Sequence, residues 1–321
     1  MQATLRSSIS FAGVGLHTGQ HVRVMVKPAA PHFGICFKRV DVADCDALIP
    51  ARYDLVPESR LCTMLRNGAG VTVSTVEHLM AAFAGTGVHN ALVEVNGPEL
   101  PIFDGSSAQF VRGIIACGLQ RQEAEIHAIE VLKPVTVRDE PAHASLSPAD
   151  GLTMCFTIEF DDVAIGRQTR TADLANGRFV RELCDSRTFC RQVDVDTMRV
   201  NGLARGGVPG KNAVVVDGDA VTSPGGFRHA DEAVRHKMLD AFGDLALAGA
   251  PLLCHYEGFR AGHMLTNQLL RTLFATPGAA RMVKCTPAQA SRLPGVGVNI
   301  ADLAAGVLSH SRPIQAFHPV M

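Results

Sequence analysis

The segment HADEAVRHKMLDAFGDLALAGAP, at residues 229–251, predicts one long helix from about Ala230 to Ala248. Gly249 follows the last periodic residue and Pro251 lies just beyond it, which is the usual end of a helix. Apolar side chains cover much of its circumference, so we expect the helix to be buried. These side chains are Val234, Met238, Leu239, Phe242, Leu245 and Leu247.

Three ionisable residues interrupt this apolar helix. His236, Asp240 and Asp244 recur every four residues and therefore lie in one row along one face. Buried ionisable groups must be paired or bound to a metal, and an imidazole and a carboxylate one turn apart can share one zinc ion. A hydrogen-bonded His–Asp pair in the core is an equally good interpretation, because a catalytic zinc needs a third protein ligand.

A second helix start, at Ser74–Thr75–Val76–Glu77–His78, carries a further histidine. The spacing of Ser74 and Glu77 fits a capping box, in which Glu77 bonds to the Ser74 amide. That interpretation leaves His78 unexplained. The positive end of a helix dipole keeps an imidazole neutral, as a metal requires, and an adjacent glutamate can act as general base on water.

Two more residues are weaker candidates. His263 lies just before a helix predicted to begin near Leu265, and most histidines there have no special role. If Asp244 accepts a hydrogen bond from it, the imidazole is protonated near neutral pH and can donate to a leaving amine. Thr188 is more often a plain strand residue, but its hydroxyl could stabilise an oxyanion if it faces a metal.

Around these segments the chain alternates short strands and helices. Strand-like runs include HVRVMVKP, NALVEVNG, LTMCFTIEF and LLCHYEGF, and AQFVRGIIACGL is helix-like. The polar stretch RQEAE separates two halves of similar style. We therefore expect an α+β protein of two domains, at residues 1–122 and 127–321, with related architecture.

Composition restricts the partners. The net charge is −1, which gives no broad electrostatic reason to bind nucleic acid or an anionic membrane surface. The nine cysteines show no CxxC spacing, which is typical of a reducing compartment. There is no apolar run of about 18 residues and no signal-peptide pattern. We expect a cytoplasmic protein without stable membrane insertion.

Seven segments taken together resemble the ordered motifs of the UDP-3-O-acyl-N-acetylglucosamine deacetylases. The resemblance runs from about residue 3 to about residue 275 and rests on GVGLHTG, TVEHLMAAFAG, LPIFDGSS, SRTF, NAVVVD, HKMLDAFGDL and GHMLTNQLL. It implies that each domain is a layered β-α-α-β sandwich with the active site at the domain interface. It also implies hydrolysis of the acetamide of an acylated UDP-N-acetylglucosamine in lipid A synthesis, by a zinc enzyme that is a monomer.

The resemblance also implies roles for individual residues. The zinc ligands would be His78, His236 and Asp240, and iron(II) is an alternative metal because affinity order alone does not decide metal identity. Glu77 would be the general base, His263 with Asp244 the protonated partner, and Thr188 the oxyanion donor. The substrate would contact Lys237, Phe160, Phe189, Leu16, His17 and Thr63.

The resemblance further implies a βαβ insert at about residues 188–216 that forms a tunnel for the single acyl chain. Apolar residues of this segment that could line the tunnel are Val193, Val195, Met198, Val200 and Leu203. Two stretches depart from the family pattern: FDHP is replaced by Phe160-Asp161-Asp162-Val163, and GHALNN by GHMLTN. A generic zinc hydrolase or dehydratase with another substrate and a non-enzymatic carrier of acyl chains or nucleotide sugars are the competing hypotheses.

Overall fold

A computed structural model describes residues 1–43, 45–58 and 61–303 of the chain. Within these residues it has nineteen β-strands, seven α-helices and three 3-10 helices, so the predicted α+β class is confirmed. The end of the predicted second domain, including the tail HSRPIQAFHPVM, lies outside the described residues.

The first half of the chain forms a five-stranded sheet in the order β2-β3-β8-β4-β5. In β3 every second residue is buried (Val22, Val24 and Val26), so one face of the sheet packs on the core. The strands are β1 (Ala3–Leu5), β2 (Ile9–Val14), β3 (His21–Pro28), β4 (Ile35–Arg39), β5 (Leu48–Pro50), β6 (Met64–Arg66), β7 (Thr72–Ser74), β8 (Ala91–Val95) and β9 (Leu119–Arg121).

The second half forms a seven-stranded sheet in which β18 pairs with both β12 and β13 along residues 254–259 and with β10 at Leu252 and Leu253. Burial alternates along β13, with Leu152, Met154, Phe156 and Ile158 facing the core. The strands are β10 (His127–Val131), β11 (Val135–Asp139), β12 (Ala142–Pro148), β13 (Leu152–Glu159), β14 (Arg167–Asp173), β15 (Phe189–Arg191), β16 (Val214–Asp217), β17 (Ala220–Val221), β18 (Leu252–Phe259) and β19 (Ala280–Lys284). Strands β15, β16 and β17 belong to a separate small sheet.

Helices cover the core-facing sides of these sheets. The predicted helix at 230–248 is present as α5 followed by a 3-10 turn, which ends at Gly249 with φ 88°. The helices are α1 (Glu77–Thr86), α2 (Ala108–Cys117), α3 (Arg178–Glu182), α4 (Gln192–Val200), α5 (Glu232–Leu245), α6 (His263–Ala275) and α7 (Pro287–Ala290), with 3-10 turns at Tyr53–Leu55, Ala246–Ala248 and Ile300–Leu303. Among the described helices none is both long enough and apolar enough to cross a membrane.

Helices α1 and α5 lie in direct contact at the centre of the molecule. A Cβ atom built on Gly243 would lie 2.0 Å from the Glu77 carbonyl oxygen and 3.2 Å from the Ala81 amide nitrogen. Only a glycine therefore allows the two backbones to approach this closely. Residues on both sides of the contact are buried, including Leu79, Ala82 and Phe242.

A short β-α-β unit lies in the chain between β14 and β18, two strands of the second sheet. Strands β15 and β16 are parallel, with Phe189 opposite Val214, and α4 connects them. In α4 only Val195 is buried, while Val193 and Val200 are exposed. The helix therefore packs through one narrow face.

The replacement Gly243→Ala tests the helix contact. We expect it to lower the free energy of unfolding by about 1–3 kcal/mol, because the added methyl group must push α5 away from α1. Denaturant unfolding measures this change. Gly68→Ala is the matched control, since a Cβ there meets nothing within 4 Å, and it should stay within about 0.5 kcal/mol of the unmodified protein. Equal stability of the two variants would contradict the tight contact.

Candidate active site

Helices α1 and α5 bring three candidate metal ligands together. His78 Nε2 lies 3.4 Å from Asp240 Oδ1, and His236 Nε2 lies 3.3 Å from the same oxygen. The ligand atoms of the three residues all lie within 4.8 Å of one another, and all three residues are buried. Helix α5 carries two of the three candidate ligands, and His78 in the first turn of α1 is the third.

The ring of His236 is oriented by the backbone. Its Nδ1 lies 3.0 Å from the Ser186 carbonyl oxygen, and because a carbonyl only accepts, Nδ1 carries the proton and donates it. Burial lowers the pKa of His236 to about 4, so the ring is neutral. Nε2 therefore presents a free lone pair toward His78 and Asp240, as a metal ligand must.

The carboxylate of Asp240 is the clearest indication of a cation. Burial alone would raise its pKa, but His236 and Lys237 outweigh burial and hold the pKa well below its usual range. Its Oδ1 is buried and has no hydrogen-bond donor among the described residues. A buried carboxylate oxygen without a donor is costly. Two imidazoles and one carboxylate are a donor set that zinc accepts, so these residues fit the metal.

Glu77 accepts a hydrogen bond from the Thr63 amide, at 3.1 Å, through Oε2. The capping-box interpretation is wrong, because the Ser74 amide and hydroxyl both bond to the Pro98 carbonyl and α1 begins without a side-chain cap. Burial raises the pKa of Glu77 to about 7, although His263 and His78 oppose the shift. A carboxylate with this pKa can take and release a proton near neutral pH.

His263 lies across the cluster from the helix pair, in the first turn of α6. Its Nδ1 is 2.8 Å from Asp244 Oδ2, and its Nε2 is 3.8 Å from Glu77 Oε1. Burial would lower its pKa, but the Asp244 carboxylate outweighs burial and raises it to about 9. The ring is therefore a cation at neutral pH. Thr63 adds a hydrogen bond of 2.5 Å from its hydroxyl to Asp244 Oδ1.

These side chains open into a cavity of about 240 Å³. Thr188 is part of its wall, and its amide bonds to the Gly105 carbonyl at 2.7 Å. Five of the six residues predicted to contact substrate also line it, whereas Thr63 lies behind the wall. The five are Leu16, His17, Phe160, Phe189 and Lys237.

A second, largely apolar cavity of about 150 Å³ shares Leu16, Thr188 and Phe189 with the first. Val195 and Met198 of α4 line it, as predicted. The prediction was wrong for Val193 and Val200, which are 55% and 88% exposed. Leu203 is not among the lining residues.

Sequence reasoning missed the residues that hold the site in place. The buried carboxylate of Glu99 accepts from the amides of His17 and Thr18 and from the Thr75 hydroxyl. Ser107 donates to the His78 carbonyl at 2.8 Å. Glu99 lies just before LPIFDGSS, and Ser107 is its last residue. Their partners are far away in the sequence, so no local pattern predicts these contacts.

The FDDV stretch is tied to the cavity wall through Asp162. Asp162 accepts a hydrogen bond of 2.5 Å from Arg191 Nε and one of 3.0 Å from the Gly218 amide. Arg191 and Lys237 both line the cavity of about 240 Å³.

Comparison with known proteins decides the family. The family model for UDP-3-O-acyl N-acetylglycosamine deacetylase matches residues 2–275. The chain belongs to this family. It is 48% identical over 281 residues to the UDP-3-O-acyl-N-acetylglucosamine deacetylase of Phenylobacterium zucineum, which covers 88% of this chain and 96% of the relative.

Two further relatives with the same name agree. The Myxococcus xanthus protein is 41% identical over 95% of this chain and 96% of its own length. The Shewanella frigidimarina protein is 41% identical over 88% of this chain and 92% of its own length. Membership of the deacetylase family makes the chain an enzyme that hydrolyses an amide.

The replacement Asp244→Asn tests the charge on His263. In the unmodified protein the pKa of His263 is raised to about 9, so the ion pair stabilises the folded state below the usual histidine pKa of 6.5. That stabilisation is lost as the pH rises through about 9. Removing the carboxylate charge should lower the pKa of His263, which NMR titration of labelled histidine measures.

The resonances of His89 are an internal control in the same spectra, because burial lowers the pKa of that ring to about 4 and it lies outside the site. An unchanged titration of His263 in the Asp244→Asn protein would show that the carboxylate does not control its charge.

Proposed function

We propose that the protein is a metal-dependent deacetylase that hydrolyses the acetamide of a UDP-3-O-(hydroxyacyl)-N-acetylglucosamine in lipid A synthesis, releasing acetate and the free 2-amine. One observation carries the proposal: a buried His-His-Asp group lies beside a carboxylate with a pKa of about 7 and an imidazole with a pKa of about 9, in one cavity. The relatives named above carry the substrate in their name.

His78, His236 and Asp240 would hold the metal. A bound divalent ion there polarises the amide carbonyl and makes water easier to deprotonate. Zinc suits the two imidazoles and one carboxylate, and iron(II) is the alternative. The buried, donor-free Oδ1 of Asp240 supports a cation at this position.

Glu77 is the proposed general base. Its Oε2 is fixed by the Thr63 amide, which leaves Oε1 to accept a proton from water. Because its pKa is about 7, the carboxylate is substantially ionised at neutral pH and does not hold the proton too strongly.

His263 is the proposed proton donor. Asp244 fixes its Nδ1–H, so Nε2–H points toward Glu77 and the cavity. Nε2 would give its proton to the sugar 2-amine as the carbon–nitrogen bond breaks. The Thr188 hydroxyl would donate a hydrogen bond to the oxyanion of the tetrahedral intermediate.

The remaining cavity wall fits the other parts of the substrate. Lys237 would offer an ammonium group to phosphate or sugar oxygens, and the other lining residues Leu16, His17, Phe160 and Phe189 would surround the sugar. We assign the acyl chain to the adjoining apolar cavity lined by Val195 and Met198.

Further features follow from the family as proposals. We propose two related sandwich domains, at 1–122 and 127–321, each built on one of the two larger sheets, with the site between them and a βαβ insert at about 188–216. Among the described residues, which include all nine cysteines, no disulfide bond is formed, which supports a reducing compartment and hence the cytoplasm. The monomeric state stays a prediction.

The main test is acetate release from a UDP-3-O-(hydroxyacyl)-N-acetylglucosamine by purified protein. We expect activity to disappear after chelation and to return when one equivalent of zinc is added, because the metal supplies charge stabilisation that the side chains lack. No acetate release from folded, zinc-loaded protein would reject this substrate and favour another zinc hydrolase. Undiminished release from metal-free protein would reject the metal.

The replacement Glu77→Ala tests the general base. We expect kcat to fall by about 10²- to 10⁴-fold or more while the protein still binds one equivalent of zinc, because Glu77 is not among the three ligands. Steady-state kinetics and metal analysis on the same sample measure both properties. Glu77→Gln is the control for shape, since it keeps the acceptor for the Thr63 amide. Near-normal turnover by zinc-loaded Glu77→Ala protein would remove Glu77 from this role.

A further inference from the structure

The peptide unit between Ser186 and Arg187 is held at both ends by α5. Its carbonyl accepts the Nδ1–H of His236 at 3.0 Å. Its N–H donates to Oε1 of Glu232 at 2.9 Å. Glu232 and His236 are four residues apart and lie on the same face of the helix. One peptide unit thus connects a carboxylate to a candidate metal ligand.

The carboxylate at the far end of this connection is fixed and charged. The Arg187 guanidinium donates to both oxygens of Glu232, from Nε at 2.9 Å and from Nη2 at 3.0 Å. Together with the Arg187 amide, the Arg228 amide at 2.5 Å brings the donors to this carboxylate to four. Glu232 has no exposed surface and Arg187 is 7% exposed, so water does not screen the pair.

Hydrogen bonds in a chain strengthen one another when they lie in a low dielectric. A negative charge on the N–H side of a peptide increases the electron density on its carbonyl oxygen. That oxygen then accepts the His236 proton more strongly, which makes Nε2 a better donor to a metal. Metal-bound histidines usually give their other N–H to a carboxylate or carbonyl, and this partner orients the ring.

We propose that Glu232 is a positioning residue for His236, acting through the Ser186–Arg187 peptide unit to fix the ring and strengthen Nε2 as a metal ligand. This inference rests on the proposed metal site. It differs from a purely structural ion pair, which would stabilise the fold and leave the affinity of the folded protein for a metal unchanged.

The test measures zinc affinity of the metal-free, full-length protein by competition with a chelator. Glu232→Gln keeps the shape of the side chain and removes its charge. We expect its zinc affinity to fall by about 10- to 100-fold, the range seen when outer partners of metal ligands are replaced. In labelled protein, the Nδ1–H resonance of His236 should also shift, because its hydrogen bond weakens.

The matched control is His229→Gln. The Nε2 of His229 lies 2.9 Å from Asp185 Oδ2, close to the Ser186–Arg187 peptide unit in the chain, but the His229 side chain bonds to neither end of that unit. We expect this variant to lose some thermal stability and to keep its zinc affinity and its His236 resonance.

A second variant keeps the test decisive if Glu232→Gln does not fold. The double variant Arg187→Met with Glu232→Gln removes both charges at once, so no unpaired ion remains buried. It should show the same loss of zinc affinity.

The outcomes separate the two proposals. Unchanged zinc affinity and an unchanged His236 resonance, in whichever of these variants folds, would overturn the role of Glu232 and leave the metal site standing. Failure of the unmodified protein itself to bind zinc would instead overturn the proposed function, and this inference with it.

Discussion

The close contact between α1 and α5 is the constraint on which the rest of the site depends. The two helices are separated by about 150 positions in the chain, and each contributes to a cluster of ligand atoms within 4.8 Å of one another. Side chains as short as histidine and aspartate can meet there only if the helix backbones nearly touch. Gly243, one turn beyond Asp240, makes this approach possible because a Cβ at that position would collide with the Glu77 carbonyl. Glu77 is also the proposed general base, so the residue whose backbone contacts Gly243 carries one of the reactive side chains.

Burial and charge together set the properties of the ionisable side chains in this cluster. Asp240, Asp244 and Glu77 are buried carboxyl groups close together, and His263 is the buried cation that pairs with one of them. Lys237, 3.3 Å from Asp240, adds a second positive charge at the edge. Burial alone would lower the pKa of His78, but the Asp240 carboxylate raises it, so carboxylates and imidazoles compensate one another in a region where an unpaired charge is costly. Burial raises the pKa of Glu77, and Oδ1 of Asp240 has no hydrogen-bond donor among the described residues.

Local patterns were enough to predict many of the helices and strands and the single row of His236, Asp240 and Asp244, but they did not predict contacts between distant segments. The row His236-Asp240-Asp244 and the helix end at Gly249 follow from helical periodicity alone. The environment of Glu77 does not, because its partner is the Thr63 amide and the predicted partner, the Ser74 amide, bonds elsewhere. The local sequence from Ser74 to Glu77 suits a glutamate that caps the helix and a glutamate that acts as a general base equally well.

The tunnel residues show a different source of error. Val193 and Val200 are seven residues apart and therefore share one face of α4, while Val195 and Met198 occupy the opposite face. Treating every apolar residue in the segment as a lining residue ignored this period. Once the segment is known to be a helix, one pair must face away from the other, and the exposed surfaces of Val193 and Val200 show which pair it is.

Two loops, one containing Ser107 and the other Ser186, complete the geometry. Ser107 of the first holds the His78 carbonyl, and the Ser186 carbonyl of the second holds His236. The loops are also bonded to each other, because Arg228 donates to both Asp104 and the Asp185 carbonyl. Each ligand-bearing helix is thus anchored to a loop, and the loops are anchored to one another, so a displacement of either helix must break hydrogen bonds in buried surroundings. Such breakage leaves unsatisfied polar groups, at a cost of about 1–3 kcal/mol each, and this cost keeps the ligand atoms in register when the cavity is open to water.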